Sequence, residues 1–328
     1  MPTLTVAEAE TLVAATLMRC RTGDDNARCV ARALVGAEAD GLKGHGLSRL
    51  PSYAAQAKAG KVDGFAVPQP SRPRPGAAVI DAGYGFAFPA LALAEAILPE
   101  MAHGAGIACA GITRSHHCGA AGHPVERLAE AGLVAMLFAN TPGAIAPWGG
   151  VTAVFGTNPI AFACPLPDAP PIVVDLSLSK VARGNILAAR QKGERIPEGW
   201  ALDAAGKPTT DPAAALAGTM LPLGDAKGTA LALMVELLAA GLTGANYAAE
   251  ASSFLDAQGP PPGTGQLIIA IDPAAFPGGL AHFARLATAI EAQPGARLPG
   301  ARRLALRAKA QGEGLGVSDA LLREIEAL

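Results

Sequence analysis

The sequence predicts an α/β fold with a largely buried mixed sheet, together with a helical domain built from the N- and C-terminal segments. The middle of the chain alternates short apolar runs with helix-like stretches, which is typical of α/β domains. Both ends follow helical patterns. Half of the 328 residues are apolar and 16% are charged, so the chain can fill a sizeable core. We predict a helical domain, 1–72 with 290–328, and an α/β domain, 73–289.

The helical end segments are predicted from caps and apolar periodicity. Thr5 and Glu8 form a capping-box pattern before an apolar-periodic run that ends at Cys20. A second helix is predicted over 24–39, which delivers the chain to a glycine-rich loop. Further helices are predicted over 52–59, 276–291 and 318–328.

The segment 64–76 contains four prolines and predicts an extended linker at the first domain boundary. Beyond it, apolar runs between turn residues predict strands over 77–82, 107–113, 133–139, 160–164, 172–176 and 266–271. Helices are predicted over 89–103 and 125–131, and a buried helix over 229–243.

Composition and charge exclude several classes of protein. The net charge is −2 and aromatic residues make up 4%, so nothing favours binding to nucleic acid. The longest apolar stretch, 229–243, is too short to span a membrane and contains Glu236. The N-terminus lacks the basic region of a signal peptide. The five cysteines contain no CxxC pair, which favours reduced thiols and a cytoplasmic location.

The segment 39–50 has the most distinctive pattern. His45 lies between Gly44 and Gly46, and Arg49 follows four residues later. On a helix these two side chains share one face, and the glycines let a ligand approach closely. The pattern indicates a proton donor beside a carboxylate-binding arginine. The alternative is a loop histidine and a surface arginine.

The segment 115–123 contains three histidines and a cysteine, which are zinc-ligand types, but their spacing is that of neither HExxH nor CxxC. Adjacent histidines at a strand end also point to opposite faces. The better interpretation is a ligand-binding loop after the strand 107–113, in which Gly119 and Ala120 let a flat ligand lie on the backbone. The chain has no GxGxxG and no GxxxxGK[ST] motif, so the usual phosphate-binding loops are unsupported.

Polar side chains near other predicted element ends are further candidates. Thr157 and Asn158 offer a hydroxyl and an amide, or form a plain turn. Asp175 closes a predicted buried strand. Lys227 stands at the start of a predicted helix, where an ammonium and free N–H groups suit an anion, although a solvated turn is the alternative. Arg302 follows a Pro-Gly turn and either closes over a phosphate or is solvated.

Taken together, these segments resemble the malate/L-lactate dehydrogenase family that lacks the Rossmann fold. That family includes sulfolactate and ureidoglycolate dehydrogenases and Δ1-piperideine-2-carboxylate/Δ1-pyrroline-2-carboxylate reductases. The resemblance extends to 196–203, 208–212 and 265–269, and so covers nearly the whole chain. It implies a homodimeric NAD(P)-dependent oxidoreductase with a non-Rossmann dinucleotide-binding domain and a small carboxylate substrate.

The resemblance also implies roles for individual residues. His45 matches the family's proton donor, Arg49 its carboxylate-binding residue and Thr157 a substrate contact. The positions that match cofactor-contacting segments are His116, His117, Cys118, Gly119, Ala120, Asp175, Leu176, Ser177, Ala226, Lys227 and Arg302.

Three positions depart from the family pattern, and one of them is Ala301, where the family usually has glutamate after the Pro-Gly turn. Gly44 replaces the serine that commonly precedes the catalytic histidine. Asn185 replaces an aspartate of the imino acid reductases, or a lysine of many other relatives. We expect Asn185 and Arg183 to face the substrate, where Arg183, with Lys43 and Lys180, favours a substrate with a second anionic group.

The leading functional prediction is hydride transfer between NAD or NADP and C2 of a small 2-oxo or 2-hydroxy acid of malate, lactate or sulfolactate type. The main alternative is a cyclic imino acid reductase that forms proline or pipecolate. Two other hypotheses stay open: a metal-dependent lyase or hydrolase that uses the 116–123 cluster, and a dinucleotide-binding relative without catalytic activity.

Overall fold

The computed structural model describes residues 2–328, which form strands, α-helices and a few short 3₁₀ or π-helical turns. In chain order the strands are β1 (Thr3–Leu4), β2 (Gln69–Arg74), β3 (Ala77–Asp81), β4 (Ile107–Ser115), β5 (Val134–Ala139), β6 (Ile160–Leu166), β7 (Ala169–Leu176), β8 (Ala201–Leu202), β9 (Pro208–Thr209), β10 (Thr219–Met220), β11 (Thr264–Ile271) and β12 (Leu315–Gly316). The helices are α1 (Val6–Arg19), α2 (Asp24–Ala39), α3 (Leu50–Ala59), α4 (Ala87–Ala105), α5 (Gly122–Glu130), α6 (Arg183–Lys192), α7 (Pro212–Ala217), α8 (Ala226–Glu236), α9 (Leu280–Glu291), α10 (Ala301–Glu313) and α11 (Asp319–Glu326).

The centre of the molecule is a seven-stranded sheet in the order β2-β3-β4-β11-β5-β6-β7. Strands β3 and β4 pair in parallel, whereas the other neighbours in this sheet pair antiparallel. The predicted α/β class with a mixed sheet is therefore confirmed.

Both faces of the central sheet are covered, because side chains of β11 alternate between two apolar clusters. Ile268 and Ala270 pack into the larger cluster, beneath α1 to α5. Leu267 and Ile269 face the second cluster, which includes residues of α6 and α8. Burial on both faces explains why the sequences of these strands are continuous apolar runs.

The N-terminal helix begins as its sequence predicts. The Thr5 side chain accepts a hydrogen bond from the Glu8 N–H, and the Glu8 carboxylate accepts one from the Thr5 N–H at 2.8 Å. The two ends of the chain also meet, because β1 pairs antiparallel with β12. The division into 1–72 with 290–328 and 73–289 stays a prediction.

Two predicted elements are wrong. The segment 64–76 is not a linker, since β2 forms the outermost strand of the sheet; Pro70 and Pro73 are tolerated there because an edge strand needs fewer backbone donors. The helix predicted over 229–243 is buried on one side only, through residues such as Ala232 and Val235. It consists of α8 followed by a π-helical turn, Leu237–Gly241, and Leu231 and Leu237 are 41% and 52% exposed. No helix within residues 2–328 has the length and apolar character to cross a bilayer.

Candidate active site

The loop between α2 and α3 consists of two short 3₁₀ turns, Lys43–His45 and Leu47–Arg49, joined at Gly46. The loop folds around the buried carboxylate of Glu38, which accepts a hydrogen bond from the Leu47 N–H at 3.0 Å and pairs with the Lys43 ammonium. A Cβ atom on Gly46 would lie 2.1 Å from Glu38 Oε2. The glycine after His45 is therefore required by close packing.

Arg49 is held by the same loop. Its Nε donates to the Gly44 carbonyl at 2.6 Å, which fixes the plane of the guanidinium group. Within residues 2–328 its two terminal nitrogens have no protein hydrogen-bond partner. These two free donors form the fork that a carboxylate accepts.

His45 lies next to Arg49 with its Nδ1 shut off from solvent and without a hydrogen-bond partner. Burial lowers the pKa of His45 to about 4, and the positive charge of Arg49 acts in the same direction. The imidazole of the ligand-free site is therefore neutral at pH 7. A neutral histidine can accept a proton from a hydroxyl group, and its protonated form can donate one.

The two adjacent histidines after β4 both lie against α3. The His117 ring stacks on His45, with centroids 5.2 Å apart and planes at 17°, and its Nδ1 lies 2.6 Å from the Tyr53 hydroxyl. The His116 Nε2 lies 3.0 Å from Gln56 Oε1. The expectation that these rings point to opposite faces is wrong, because both rings contact Tyr53 and Phe254. Alternation does not apply here, since β4 ends at Ser115.

The rest of the predicted cofactor segment forms a tight turn. Gly119 has a φ of +70°, and a Cβ atom there would lie 2.7 Å from the Phe88 ring. The Cys118 thiol is buried, which raises its pKa to about 12, so it is not a reactive thiolate. The Gly122 N–H donates to the Asp175 carboxylate at 2.8 Å. The structure thus brings 116–122 and Asp175 together, as the prediction required.

Thr157 and Asn158 have different surroundings. Thr157 is partly exposed, and its hydroxyl lies 3.3 Å from the Thr141 hydroxyl. Asn158 is fully buried, and its amide donates to Glu236 at 2.7 Å and to the Ala232 carbonyl at 3.0 Å. The expectation that Asn158 offers its amide to a ligand is therefore wrong.

Comparison with known proteins decides between the predicted classes. The family model described as malate/L-lactate dehydrogenase matches residues 4–326. The chain belongs to that family. It is 52% identical over 326 residues to a (2R)-3-sulfolactate dehydrogenase (NADP(+)) of Chromohalobacter salexigens, which covers 99% of this chain and 97% of that protein. The match confirms the family that the sequence resembles.

Two imino acid reductases are also similar to this member of the malate/L-lactate dehydrogenase family. A Δ1-pyrroline-2-carboxylate reductase of Ancylobacter novellus is 41% identical over 330 residues, covering 99% of this chain and 97% of that protein. The crystal structure of a Δ1-piperideine-2-carboxylate reductase from Pseudomonas syringae pvar. tomato has a TM-score of 0.94 at 37% identity, covering 100% and 99% of the two chains. These matches confirm the predicted enzyme class, an NAD(P)-dependent oxidoreductase that acts on a small acid.

Four predicted site residues lie outside the group around His45. Arg183, at the start of α6, is partly buried and its Nε is closed off without a partner; burial lowers its pKa. Asn185 is exposed in the first turn of the same helix. Lys227 and Arg302 are exposed in the first turns of α8 and α10. Within residues 2–328 no hydrogen bond joins these four side chains to the His45 group. Their roles stay predictions.

Sequence reasoning missed one buried ionic cluster beside the loop that contains His45. Asp40 is 2% exposed and accepts hydrogen bonds from His123 at 2.8 Å, from Arg303 at 2.9 Å and from Arg307 at 2.7 Å. Burial raises the pKa of Asp40, but these bonds outweigh burial and hold it well below its ordinary range. Both arginines also bind Glu126. The partners are too distant in sequence to give any local signal.

The metal hypothesis finds no support in the same region. Throughout residues 2–328, no three His, Cys, Asp or Glu side chains are grouped so that they could hold a metal ion. His123 is engaged with Asp40, and the two rings of His116 and His117 are engaged with α3.

Proposed function

We propose that this enzyme transfers hydride between NADP and C2 of a small 2-oxo or 2-hydroxy acid of the sulfolactate type. One observation carries the proposal: the two free terminal nitrogens of Arg49 stand beside His45, whose buried Nδ1 also lacks a partner. The Arg49 donors are not closed off, so they can bind a carboxylate, and the burial of His45 Nδ1 leaves Nε2 as the ring nitrogen that meets the ligand.

Arg49 and His45 have different roles toward the substrate. Arg49 binds the carboxylate next to C2 through its terminal nitrogens, since Nε is already engaged with Gly44. His45 takes the hydroxyl proton when the 2-hydroxy acid is oxidised and returns a proton to the C2 oxygen when the 2-oxo acid is reduced. The negative charge of the bound substrate stabilises the protonated form of His45 and so offsets the low pKa of the empty site.

The chain has groups that suit a nicotinamide dinucleotide. Lys227 and Arg302 are exposed in the first turns of α8 and α10, where free N–H groups and a cation favour phosphate. Asp175 stands at the end of β7 beside the small residues of 118–122, where a carboxylate suits ribose hydroxyls. When bound, the nicotinamide supplies or accepts the hydride. Leu176, Ser177 and Ala226 complete the proposed cofactor contacts.

A second anionic group on the substrate is the finer part of the proposal. The Arg183 guanidinium is partly buried, and its Nε has no partner. A desolvated cation of this kind is favourable only when an anion binds it. A sulfonate or a second carboxylate meets that need, with Thr157 and Asn185 as neutral contacts. The 52% identity to an NADP-named sulfolactate dehydrogenase supports both this substrate type and NADP.

A cyclic imino acid reductase is the second candidate. The 41% identity to a Δ1-pyrroline-2-carboxylate reductase and the TM-score of 0.94 to a Δ1-piperideine-2-carboxylate reductase favour it. Gly44 and Asn185 weaken it, because neither can act as the hydroxyl or the carboxylate of a proton relay.

The deciding experiment follows NADPH and NADH oxidation at 340 nm with 3-sulfopyruvate, oxaloacetate, pyruvate, Δ1-pyrroline-2-carboxylate and Δ1-piperideine-2-carboxylate. We expect the highest kcat/KM with 3-sulfopyruvate and NADPH, and loss of turnover in His45→Ala. Turnover confined to the two cyclic imines would establish the second candidate instead. NADPH binding without any turnover would favour a dinucleotide-binding relative.

Arg183→Gln tests the second anionic group. We expect it to raise the KM for 3-sulfopyruvate at least tenfold more than the KM for pyruvate, since an ionic hydrogen bond contributes roughly 1.5–3 kcal/mol. Arg190→Gln is the matched control, because Arg190 is exposed on the same helix. Equal effects of Arg183→Gln on both substrates contradict this role.

We also propose that the enzyme is a homodimer. The observation that supports a dimer is the apolar exposed side of α8 and the following turn, where Leu231, Met234 and Leu237 are 41%, 38% and 52% exposed. Exposed apolar patches of this kind commonly mark interfaces. Light scattering at micromolar concentration tests this, and Leu237→Asp is expected to produce monomers; a wild-type monomer would refute it.

Two further parts of the proposal concern domain type and location. We place the cofactor on a non-Rossmann domain, since the central sheet is mixed and the chain lacks a GxGxxG motif. We place the helical domain in the packed terminal segments, which the β1–β12 pairing supports. Five free cysteines support a reducing, cytoplasmic location.

A further inference from the structure

The Tyr53–His117 contact has defined donor and acceptor roles. Tyr53 is completely buried, and burial raises the pKa of its hydroxyl well above its ordinary value. His117 is also buried, which together with the charge of Arg49 lowers the pKa of its imidazole well below its ordinary value. Both groups are therefore neutral, and His117 Nδ1, at 2.6 Å, is the one hydrogen-bond partner of the buried Tyr53 hydroxyl within residues 2–328. The phenolic hydrogen has no other acceptor, so Tyr53 donates and His117 Nδ1 accepts.

This bond determines where His117 carries its proton. A neutral imidazole holds one hydrogen, and because Nδ1 accepts from Tyr53, that hydrogen must be on Nε2. Within residues 2–328 the Nε2 atom has no protein partner. The polar atoms that are closed off without a partner include Nδ1 of His45 and of His116 but not Nε2 of His117. The Nε2–H of His117 is therefore a free donor that a ligand can reach.

The stacking of His117 on His45 places the Nε2–H donor close to the proposed proton-transferring residue. The His117 ring lies nearly parallel to His45 at 5.2 Å and is supported on another side by Phe254 at 5.3 Å. The fixed ring also limits how His45 can rotate. The two rings are close enough for one bound ligand to contact both.

We propose that Tyr53 is a positioning residue for the reaction: it fixes the Nε2–H tautomer of His117, and His117 then donates to an oxygen of the ligand bound before His45. The acceptor is an sp² oxygen, which either the substrate or the nicotinamide carboxamide provides. The inference rests on the proposed function, because it takes His45 as the proton-transferring residue.

The first test reads the tautomer directly by ¹⁵N NMR of histidine-labelled protein, with the His117 signals assigned by their loss in His117→Gln. We expect Nδ1 of His117 to be the unprotonated nitrogen in the wild type and both tautomers to be populated in Tyr53→Phe. Tyr247→Phe is the control, since Tyr247 is 41% exposed. An unchanged His117 tautomer in Tyr53→Phe would overturn the proposal, even if activity falls. This test needs no substrate, so its failure is distinguishable from failure of the proposed function.

The second test measures kinetics and NADPH binding in the same variants. We expect Tyr53→Phe to lower kcat/KM roughly tenfold, the effect of one hydrogen bond of ordinary strength. An increase in substrate KM at unchanged NADPH Kd assigns the acceptor oxygen to the substrate. An increase in the NADPH Kd, followed by fluorescence, assigns it to the carboxamide. Unchanged kcat/KM and unchanged Kd would overturn the proposal.

A double-mutant cycle separates positioning from packing. Glutamine at position 117 presents an N–H near the place of Nε2 without any need for a tautomer. Adding Tyr53→Phe to His117→Gln should therefore lower kcat/KM less than twofold further. Equal losses in the two backgrounds would mean that Tyr53 acts through packing alone and would overturn the proposal.

Discussion

Arg307 donates two hydrogen bonds to the Asp40 carboxylate, from Nε at 2.7 Å and from Nη2 at 2.8 Å, across 267 positions of sequence. Asp40 is the residue at the C-terminal end of α2, just before the loop that contains His45, and Arg307 lies in α10. The contact attaches that loop to a helix from the other end of the chain.

Removal of Arg307 should destabilise the protein. Arg307→Ala leaves the buried carboxylates of Asp40 and Glu126 with fewer donors, so we expect the free energy of unfolding to fall by about 3 kcal/mol. Urea unfolding followed by circular dichroism measures it. Lys309→Ala on the same helix breaks only an exposed pair and should change stability by less than about 0.5 kcal/mol. Equal losses in the two variants would argue against the cluster as a stabilising feature.

Two glycines flanking His45 should differ in their response to substitution. A Cβ atom at Gly46 lies 2.1 Å from Glu38 Oε2, whereas a Cβ atom at Gly44 meets nothing within 4 Å. Gly46→Ala must displace the loop and should lower kcat/KM by at least tenfold and the free energy of unfolding by about 2 kcal/mol. Gly44→Ala serves as the control and should remain within threefold of wild-type kcat/KM. A well-tolerated Gly46→Ala would refute the packing argument.

The pH dependence should reflect the depressed pKa of His45. In the proposed mechanism reduction requires protonated His45, and kcat/KM reports the free enzyme. We therefore expect kcat/KM for reduction to fall about tenfold per pH unit above about 4. Oxidation requires the neutral form, and its kcat/KM should rise through about pH 4 and then stay level. Activity at pH 7 after incubation at each pH controls for unfolding. A reduction plateau that extends to pH 6.5 would contradict the depressed value.

Glu236 should stabilise the loop before β6, which contains Thr157 and Asn158. Its carboxylate accepts from Asn158 at 2.7 Å, from Asn140 at 2.9 Å and from the Ala248 N–H at 2.6 Å. In Glu236→Gln an NH₂ group replaces one carboxylate oxygen and cannot accept a hydrogen bond from these donors. The free energy of unfolding should therefore fall by about 2 kcal/mol. Thermal unfolding with Glu130→Gln, an exposed position, as control measures the difference. A melting temperature equal to that of the control variant would be the contrary result.

The parts of the molecule that the sequence predicts are those with local causes. The capping box at Thr5 and Glu8 starts α1 where its pattern indicates. The apolar runs became strands because both faces of the sheet are buried. His45 and Arg49 are four residues apart, so any turn-like backbone brings them together, even though the turns are 3₁₀ and not α.

The parts that the sequence did not predict depend on distant partners. Tyr53 and His117 are separated by 64 positions, and Asp40 meets Arg303 across 263. The four prolines between Gly64 and Gly76 predicted a linker, but β2 still pairs with β3. An edge strand tolerates proline because the N–H groups on its free side need no strand partner. The pattern of apolar residues alone does not reveal that one side of α8 is exposed.

The position of α10 near the end of the chain determines when, during synthesis, the Asp40 cluster can form. Synthesis proceeds from the N-terminus, so the loop that contains His45 leaves the ribosome long before α10, which carries Arg303 and Arg307. Until α10 arrives, Asp40 and Glu126 lack the counter-charges that allow their burial. A nascent or interrupted chain that lacks α10 therefore carries His45 and Arg49 next to carboxylates that are not yet neutralised.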